Sequence, residues 1–448
     1  MKSLLIHNAL LVNEGRSVTG SVLVTDGLIQ RVYEGEVPSG VREETEVVEA
    51  HGCWLLPGII DDHVHFREPG LTHKADLRSE TMAALAGGVT SFMEMPNTKP
   101  QTTSLDVWEA KMALGAAHAW ANYAFYLGAT NDNLDELLKA DFSSVCGVKV
   151  FMGSSTGNML VDNEKTLLGL FKELPCVVAV HAESEGIITA NKAHYLALTG
   201  SIVPISYHPL IRTAEACYAS AARAVELAAA HDTRLHLLHV STERELSLLS
   251  SGPLADKQIT GEACVPHLWF DEGDYALLQT AIKCNPAIKS RSDKEALRMA
   301  VAEGRIDVVA TDHAPHVWSE KEGDALTAAS GMPGVQFSLS LMLELAADGV
   351  LTKEQVVARM CHAPAQLYRV DKRGFIREGY HADLTLVDPS APFTIDNSLV
   401  LSKCGWSPYA GLTLHHRVRM TLVNGMIVYE NGRFSGVNAA QPLRFKNS

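Results

Sequence analysis

The sequence predicts an α/β chain, a (β/α)8 barrel carrying a small composite β-sandwich built from both chain ends. Three observations lead there. Apolar strand-like runs alternate with amphipathic helix-like runs through the middle of the chain, the pattern of parallel β/α units. Short strands broken by turn residues occupy both ends. The length, 448 residues, exceeds one ordinary domain but suits a barrel plus a smaller unit.

The N-terminal segment, taken as residues 1–54, reads as strands in "SLLIHNALLV", "GSVLVTDGLIQRVYEG" and "TEVVEAHGCWLLPG", with Asn-Glu-Gly and Asp-Gly as punctuation. The barrel is expected over residues 55–370. Its eight strands are expected in "LLPGIIDDHVHF", "VTSFMEMPN", "NYAFYLGAT", "CGVKVFM", "CVVAVHAE", "RLHLLHVS", "KQITGEACV" and "RIDVVATDHAPH". Between them, "SETMAALAGG", "EACYASAARAVELAAAHD" and "DKEALRMAVAEG" repeat apolar residues three and four apart, as helices do. Over residues 371–448 the strand texture returns in "GFIREGYHADLTLVD" and "HHRVRMTLVNGMIVYENGRF", which assigns this end to the same sandwich as the first.

Composition excludes several classes. Apolar residues make up 46% and charged residues 20%, a globular balance with ample core material. The net charge of −14 argues against nucleic acid and anionic membrane as partners. A small anionic substrate would therefore need a local cationic pocket. The eight cysteines form no C-x-x-C pair, so they read as reduced core thiols. No stretch reaches about 18 uncharged apolar residues, and "MKSLLIHNALLVNEG" lacks a cleavage signature, so a cytoplasmic location is expected.

Several strand runs end in ionisable or polar residues, and a barrel gathers strand ends at one mouth. His63 and His65 alternate onto one face, with Asp61 and Arg67 expected on that face too. Alone, an H-x-H pair reads equally as two core histidines. The case grows with His181 in "VVAVHAES" and His239 in "LHLLHVS", because an imidazole buried at a strand end needs a partner. By strand parity His236 should face the helices and be structural, and His313 should point away while Asp312 faces the mouth as acid/base and ligand. Four imidazoles and a carboxylate suit zinc or a similar divalent ion. Lys149, in the apolar run "VCGVKVFM", would be costly as a buried cation. As a neutral amine it can take up carbon dioxide, and the resulting carbamate would bridge two divalent ions.

The motifs "PGIIDDHVHFREPG", "EMPNTKP", "GVKVFM", "VHAE", "LHVS", "CNPAIKSR", "TDHAPH" and "GFIREGYHADLTLVD" resemble the amidohydrolase superfamily and, within it, the class I dihydroorotases. The resemblance implies that His63, His65 and Asp312 hold the more buried metal, that His181 and His239 hold the second, and that carboxylated Lys149 bridges two zinc ions. Lys149 departs from the aspartate found in many bacterial class I members and is similar to the hydantoinase, allantoinase and animal-type dihydroorotase arrangement.

The resemblance further implies that Arg67, Asn97 and His316 hold the substrate carboxylate and that Asn285 contacts the pyrimidine ring, with the "AASGMPGVQF" stretch around Gly331 and Gly334 as a flexible backbone-lined loop beside it. A guanidinium suits bidentate carboxylate recognition, which dihydroorotate and N-carbamoyl-L-aspartate would require and hydantoins or allantoin would not. The implied activity is reversible cyclisation of N-carbamoyl-L-aspartate to dihydroorotate in pyrimidine synthesis. Rival readings are a hydantoinase or allantoinase with the same metal chemistry, and a catalytically silent relative that partners aspartate carbamoyltransferase. A homodimer is the expected assembly.

Overall fold

The structure, a computed structural model, describes residues 3–153 and 159–446. Eight parallel barrel strands run in the order expected: Ile59–Val64, Val89–Glu94, Asn122–Phe125 continued by Leu127–Gly128, Val148–Phe151, Val178–His181, Leu235–Leu237, Ile259–Cys264 and Val308–Ala310. The ring closes where Val64 bridges His313 in parallel and the His65 amide donates to the His313 carbonyl at 2.8 Å. Ile60, Met93, Ala124, Tyr126, Ala179, Leu238 and Val308 form a buried inner cluster, whereas Phe92, Val178 and Val180 join the larger core shared with the helices. Alternation along each strand thus serves two cores at once.

The predicted helices form with local start signals. Leu77–Ala86 begins at Asp76, whose carboxylate accepts from the Ser79 amide at 2.9 Å. Ala214–His231 is capped by Thr213, and Arg291–Glu303 by a reciprocal Ser290–Asp293 box. Each cap satisfies amides that the first helical turn leaves without an internal acceptor. Among the described residues no helix is long and apolar enough to cross a membrane.

Strands from the two chain ends hydrogen-bond into one nine-stranded sheet. Its seam pairs Trp54–Pro57 antiparallel with Leu384–Val387, so the start of the first barrel run, up to Pro57, belongs to this sheet, and the chain enters the barrel at Ile59. The sheet curls over Leu4, Ile6, Val22, Leu55, Leu384 and Leu422 until its two far turns meet. There a side chain on Gly425 would sit 2.8 Å from the Gly27 backbone, and both glycines have positive φ. The C-terminal tail then returns to the barrel: the Leu443 amide donates to the Tyr123 carbonyl at 2.9 Å, and Leu443 and Phe445 join the inner cluster.

Candidate active site at the barrel mouth

All ten residues singled out from the sequence line one cavity of about 750 Å³ at the C-terminal ends of the strands. They divide into an imidazole-carboxylate cluster with Lys149 and a cationic wall built around Arg67.

In the cluster, Asp312 Oδ1 lies 3.3 Å from His63 Nε2 and 3.1 Å from His65 Nε2. Two ligand atoms about 2.1 Å from one ion at near-tetrahedral angles stand about 3.4 Å apart, so both Asp312 spacings suit a shared metal, and the three ligand atoms all lie within 4.8 Å of one another. The opposite ring nitrogens are held from behind. His63 Nδ1 is 2.9 Å from Glu262 Oε1, and His65 Nδ1 is 2.7 Å from Asn97 Oδ1. Both contacts place N–H on Nδ1 and leave the Nε2 lone pair facing Asp312, the tautomer that a metal requires.

A second pair lies beside the first, with the His239 ring centre 5.3 Å from that of His63. His181 Nδ1 and His239 Nε2 converge to 2.8 Å, while His239 Nδ1 and His181 Nε2 are buried without a hydrogen bond. His181 Nε2 does approach Glu183 Oε2 at 3.1 Å, off the hydrogen-bonding direction, and Glu183 is in turn paired with Arg212. Lys149 Nζ sits 4.7 Å from the centre of the Phe151 ring, and among the described residues it has no hydrogen bond or ion pair. Buried nitrogens left this way are costly unless a ligand completes them. The donor set therefore fits divalent metal.

Electrostatics agree with that fit at His65, His239 and Lys149, whereas at His63 burial is outweighed by the charges of Glu262 and Asp312, which raise its pKa. Burial lowers His65 to about 4, drives His239 well down and pulls Lys149 to about 7 against the opposing charges of Asp312 and Glu262. Neutral imidazoles and a readily neutralised amine are the forms with free lone pairs. Burial pushes the Asp312 carboxyl up, but His63 and His65 outweigh it and hold it at about 2.

On the cationic wall, Arg67 is buried and donates from Nε to the Pro315 carbonyl at 3.1 Å, with Nη2 3.1 Å from His316 Nε2. Its guanidinium has no hydrogen bond to a carboxylate among the described residues. It pairs with neither Glu68 nor Asp61. Burial, Arg67 and Lys74 lower His316 to about 3, so the ring is neutral: Nε2 accepts from Arg67 and Nδ1 donates to Glu320 at 2.8 Å. In this arrangement His316 orients the guanidinium. Asn97, with Oδ1 committed to His65, also lines the cavity. Asn285 Oδ1 is buried without a partner on the same cavity lining.

Three expectations are corrected. Asp61 does not share the face of His63 and His65, because the register shifts by one residue between Asp61 and Val64. That bulge sends the Asp61 carboxylate to the Thr311 hydroxyl at 2.6 Å and turns the histidines inward. His236 does not face the helices. It is fully buried beneath the cluster, with Nε2 3.4 Å from Asp62 and 3.8 Å from Glu262. His239 reverses parity after it by adopting a positive φ, as do Asp312 and Arg67, so left-handed backbone rather than strand alternation aims these side chains. The loop around Gly331 is anchored: buried Lys321 donates from Nζ to the carbonyls of Lys283, Ala329 and Gly331 at 3.1, 2.8 and 2.8 Å. His313 points away as expected, its Nε2 2.7 Å from Glu80.

Sequence reasoning missed Glu262, Glu183 and Lys74. Glu262 follows strand alternation in "ITGEAC", and Glu183 stands two residues after His181, so both carried a period-two signal. Lys74, on the cavity lining with Nζ 3.2 Å from His316 Nδ1, lies on a loop with no such signal.

Known proteins bear on this arrangement. The model of the amidohydrolase family matches residues 54–428. An allantoinase of Bacillus velezensis is 32% identical over 435 residues, covering 96% of this chain and 94% of the relative. A dihydroorotase of Halobacterium salinarum is 36% identical over 400 residues, covering 86% and 90%. An L-hydantoinase (dihydropyrimidinase) from Arthrobacter aurescens superposes with a TM-score of 0.93 at 26% identity, covering 99% of this chain and all of that one. With a hydrolytic cluster at the mouth of a barrel that these relatives share almost end to end, the chain belongs to the amidohydrolase family.

Proposed function

We propose that this hydrolase of cyclic amides is a dihydroorotase, which interconverts dihydroorotate plus water with N-carbamoyl-L-aspartate. The observation that carries the choice is Arg67, a buried guanidinium without a carboxylate hydrogen-bond partner among the described residues, on the lining of the same cavity as the imidazole cluster. A charged group so placed calls for an anion, and a substrate carboxylate outside the reacting amide supplies one. Lys74 and Lys99 on the same lining add positive potential in a chain of net charge −14. Relatives named allantoinase and L-hydantoinase keep a cyclic amide without that carboxylate as the second reading.

His63, His65 and Asp312 would hold one divalent ion, His181 and His239 a second, and Lys149 as its carbamate would lie between them, with zinc as the expected metal. When bound, such ions would supply the Lewis acidity that makes water nucleophilic near neutral pH. The protein's own groups do the rest. Arg67, oriented by His316, and the Asn97 amide hold the carboxylate, and Asn285 accepts from a ring N–H. This fixes the amide carbonyl over the cluster, which converts an encounter into a positioned reaction. Asp312, ionised at working pH, takes the proton from the attacking water at its carboxylate. As the carbon–nitrogen bond breaks, it returns that proton to the departing nitrogen. In the reverse direction the nitrogen attacks the carbon of the free carboxylic acid, and Asp312 takes the nitrogen's proton and passes it to the departing hydroxyl, which leaves as water.

Turnover of metal-replete protein on dihydroorotate, allantoin, hydantoin and dihydrouracil tests the proposal. Preference for dihydroorotate is expected, and preference for any of the other three would overturn it.

A further inference from the structure

A second cavity, of about 560 Å³, lies at the other end of the barrel. Arg234 immediately precedes the strand Leu235–Leu237, and Lys257 and Gln258 precede Ile259–Cys264, so the cavity opens at the N-terminal strand ends, away from the site above. That face of a barrel ordinarily serves stability. Here its walls carry Arg234, Lys257, Arg369, Arg373, Arg377 and Lys446 against a single lining acid, Asp256. For a chain of net charge −14 this is a local reversal of sign.

Four of the six cations are neutralised from behind the wall. Lys257 pairs with Asp307 at 2.7 Å, Lys446 with Asp371 at 3.3 Å, Arg373 with Asp383, and Arg377 with Glu14 at 2.5 Å. Arg234 and Arg369 are different. The Arg234 guanidinium donates to the Leu367 carbonyl and meets no carboxylate, and Arg369 has no side-chain hydrogen bond or ion pair among the described residues. Both are half-buried. Burial, and next the charge of Arg369, pull Arg234 below the usual guanidinium range. Two neighbouring guanidiniums without counter-charge repel each other in a partly desolvated site, a cost that a bound anion would remove.

We propose that this cavity binds a small phosphate-bearing anion between Arg234 and Arg369. Guanidinium forks match phosphate oxygens bidentately, and paired forks distinguish a dianion from chloride. The volume exceeds that of free phosphate, so a phosphate monoester fits as well as the inorganic ion.

Calorimetric titration of the full, metal-loaded chain with inorganic phosphate and with phenyl phosphate separates those two sources. Saturable one-to-one binding of at least one is expected. Arg369→Gln should weaken it at least tenfold and Arg369→Glu should abolish it, with thermal stability of the unliganded protein kept or raised because the repulsion with Arg234 is relieved. Arg67→Met should leave it intact, which distinguishes this cavity from the barrel mouth. Absence of saturable binding, equal binding by Arg369→Glu, or loss in Arg67→Met alone would each overturn the proposal.

Discussion

Replacing Lys321 by methionine would reveal how the substrate-facing loop is held. The lysine is fully buried, and its three carbonyl acceptors require three N–H donors, which only the ammonium offers. Burial draws its pKa down to about 7, so the ammonium is complete only below neutrality, and it is the form that satisfies all three carbonyls. Methionine fills the same shaft and donates nothing. Each buried acceptor left bare costs about 1–3 kcal/mol, or about 3–9 kcal/mol for the three if the loop stayed put. Removing a desolvated charge returns several kcal/mol, and the loop can turn its carbonyls to water. The expected net loss of global stability is therefore only about 2 kcal/mol, with the damage concentrated locally. Hydrogen exchange should show faster exchange at Ala328–Met332, by tenfold or more. Because Ala329, Ser330 and Gly331 line the cavity, and Lys283 stands two residues before Asn285, KM should rise about tenfold, equivalent to about 1.4 kcal/mol, with kcat less affected. Unchanged exchange at these amides together with an unchanged KM would refute the idea that Lys321 positions this loop.

Other perturbations separate the remaining roles. Arg67→Met should lower kcat/KM for dihydroorotate about 100-fold, the loss of a charge-assisted pair worth about 1.5–3 kcal/mol, while metal analysis finds the usual content. Lys149→Ala should lose most metal and activity, with partial recovery in short carboxylic acids; metal content equal to the parent would remove the bridge from consideration. Asp324 accepts from the amides of Val203, Leu326 and Thr327, which outweigh burial and hold its carboxyl at about 2, below the unfolded value near 3.9. Its contribution to loop stability is thus complete above pH 4 and lost as pH falls toward 2. Proteolysis of the 317–331 loop should accelerate across that window, and Asp324→Asn should flatten the dependence.

Much of this was legible in the sequence because barrel strands are short, β-branched and separated by capped helices, and because function gathers at strand ends. His63, His65, Lys149 and His181 reached the cavity by that logic, whereas Asn285 was reached only through the resemblance of "CNPAIKSR". Strand parity failed for Asp61, at the bulge that follows it; Arg67, His239 and Asp312 reached the expected cavity, but through left-handed backbone rather than strand alternation. Aspartate and histidine are enriched at such kinks, so Asp312 and His239 carried a weak signal, whereas Arg67 carried none. Parity likewise misplaced His236, whose partners Asp62 and Glu262 lie on other strands. The rigidity of the Gly331 loop was hidden because the glycines suggest freedom, whereas the restraint comes from two lysines that reach in from elsewhere.

The seam between Trp54–Pro57 and Leu384–Val387 has a consequence for biosynthesis. Translation delivers Trp54–Pro57 early and its partner only after the whole barrel has been made. Until then a hydrophobic strand stands with an open edge beside the point where the chain enters the barrel, an invitation to pair with another nascent chain. A chain shortened before Leu384 would keep that edge open permanently. Such a truncation would retain every residue at the barrel mouth and still be expected to aggregate, so loss of activity in it would say nothing about catalysis.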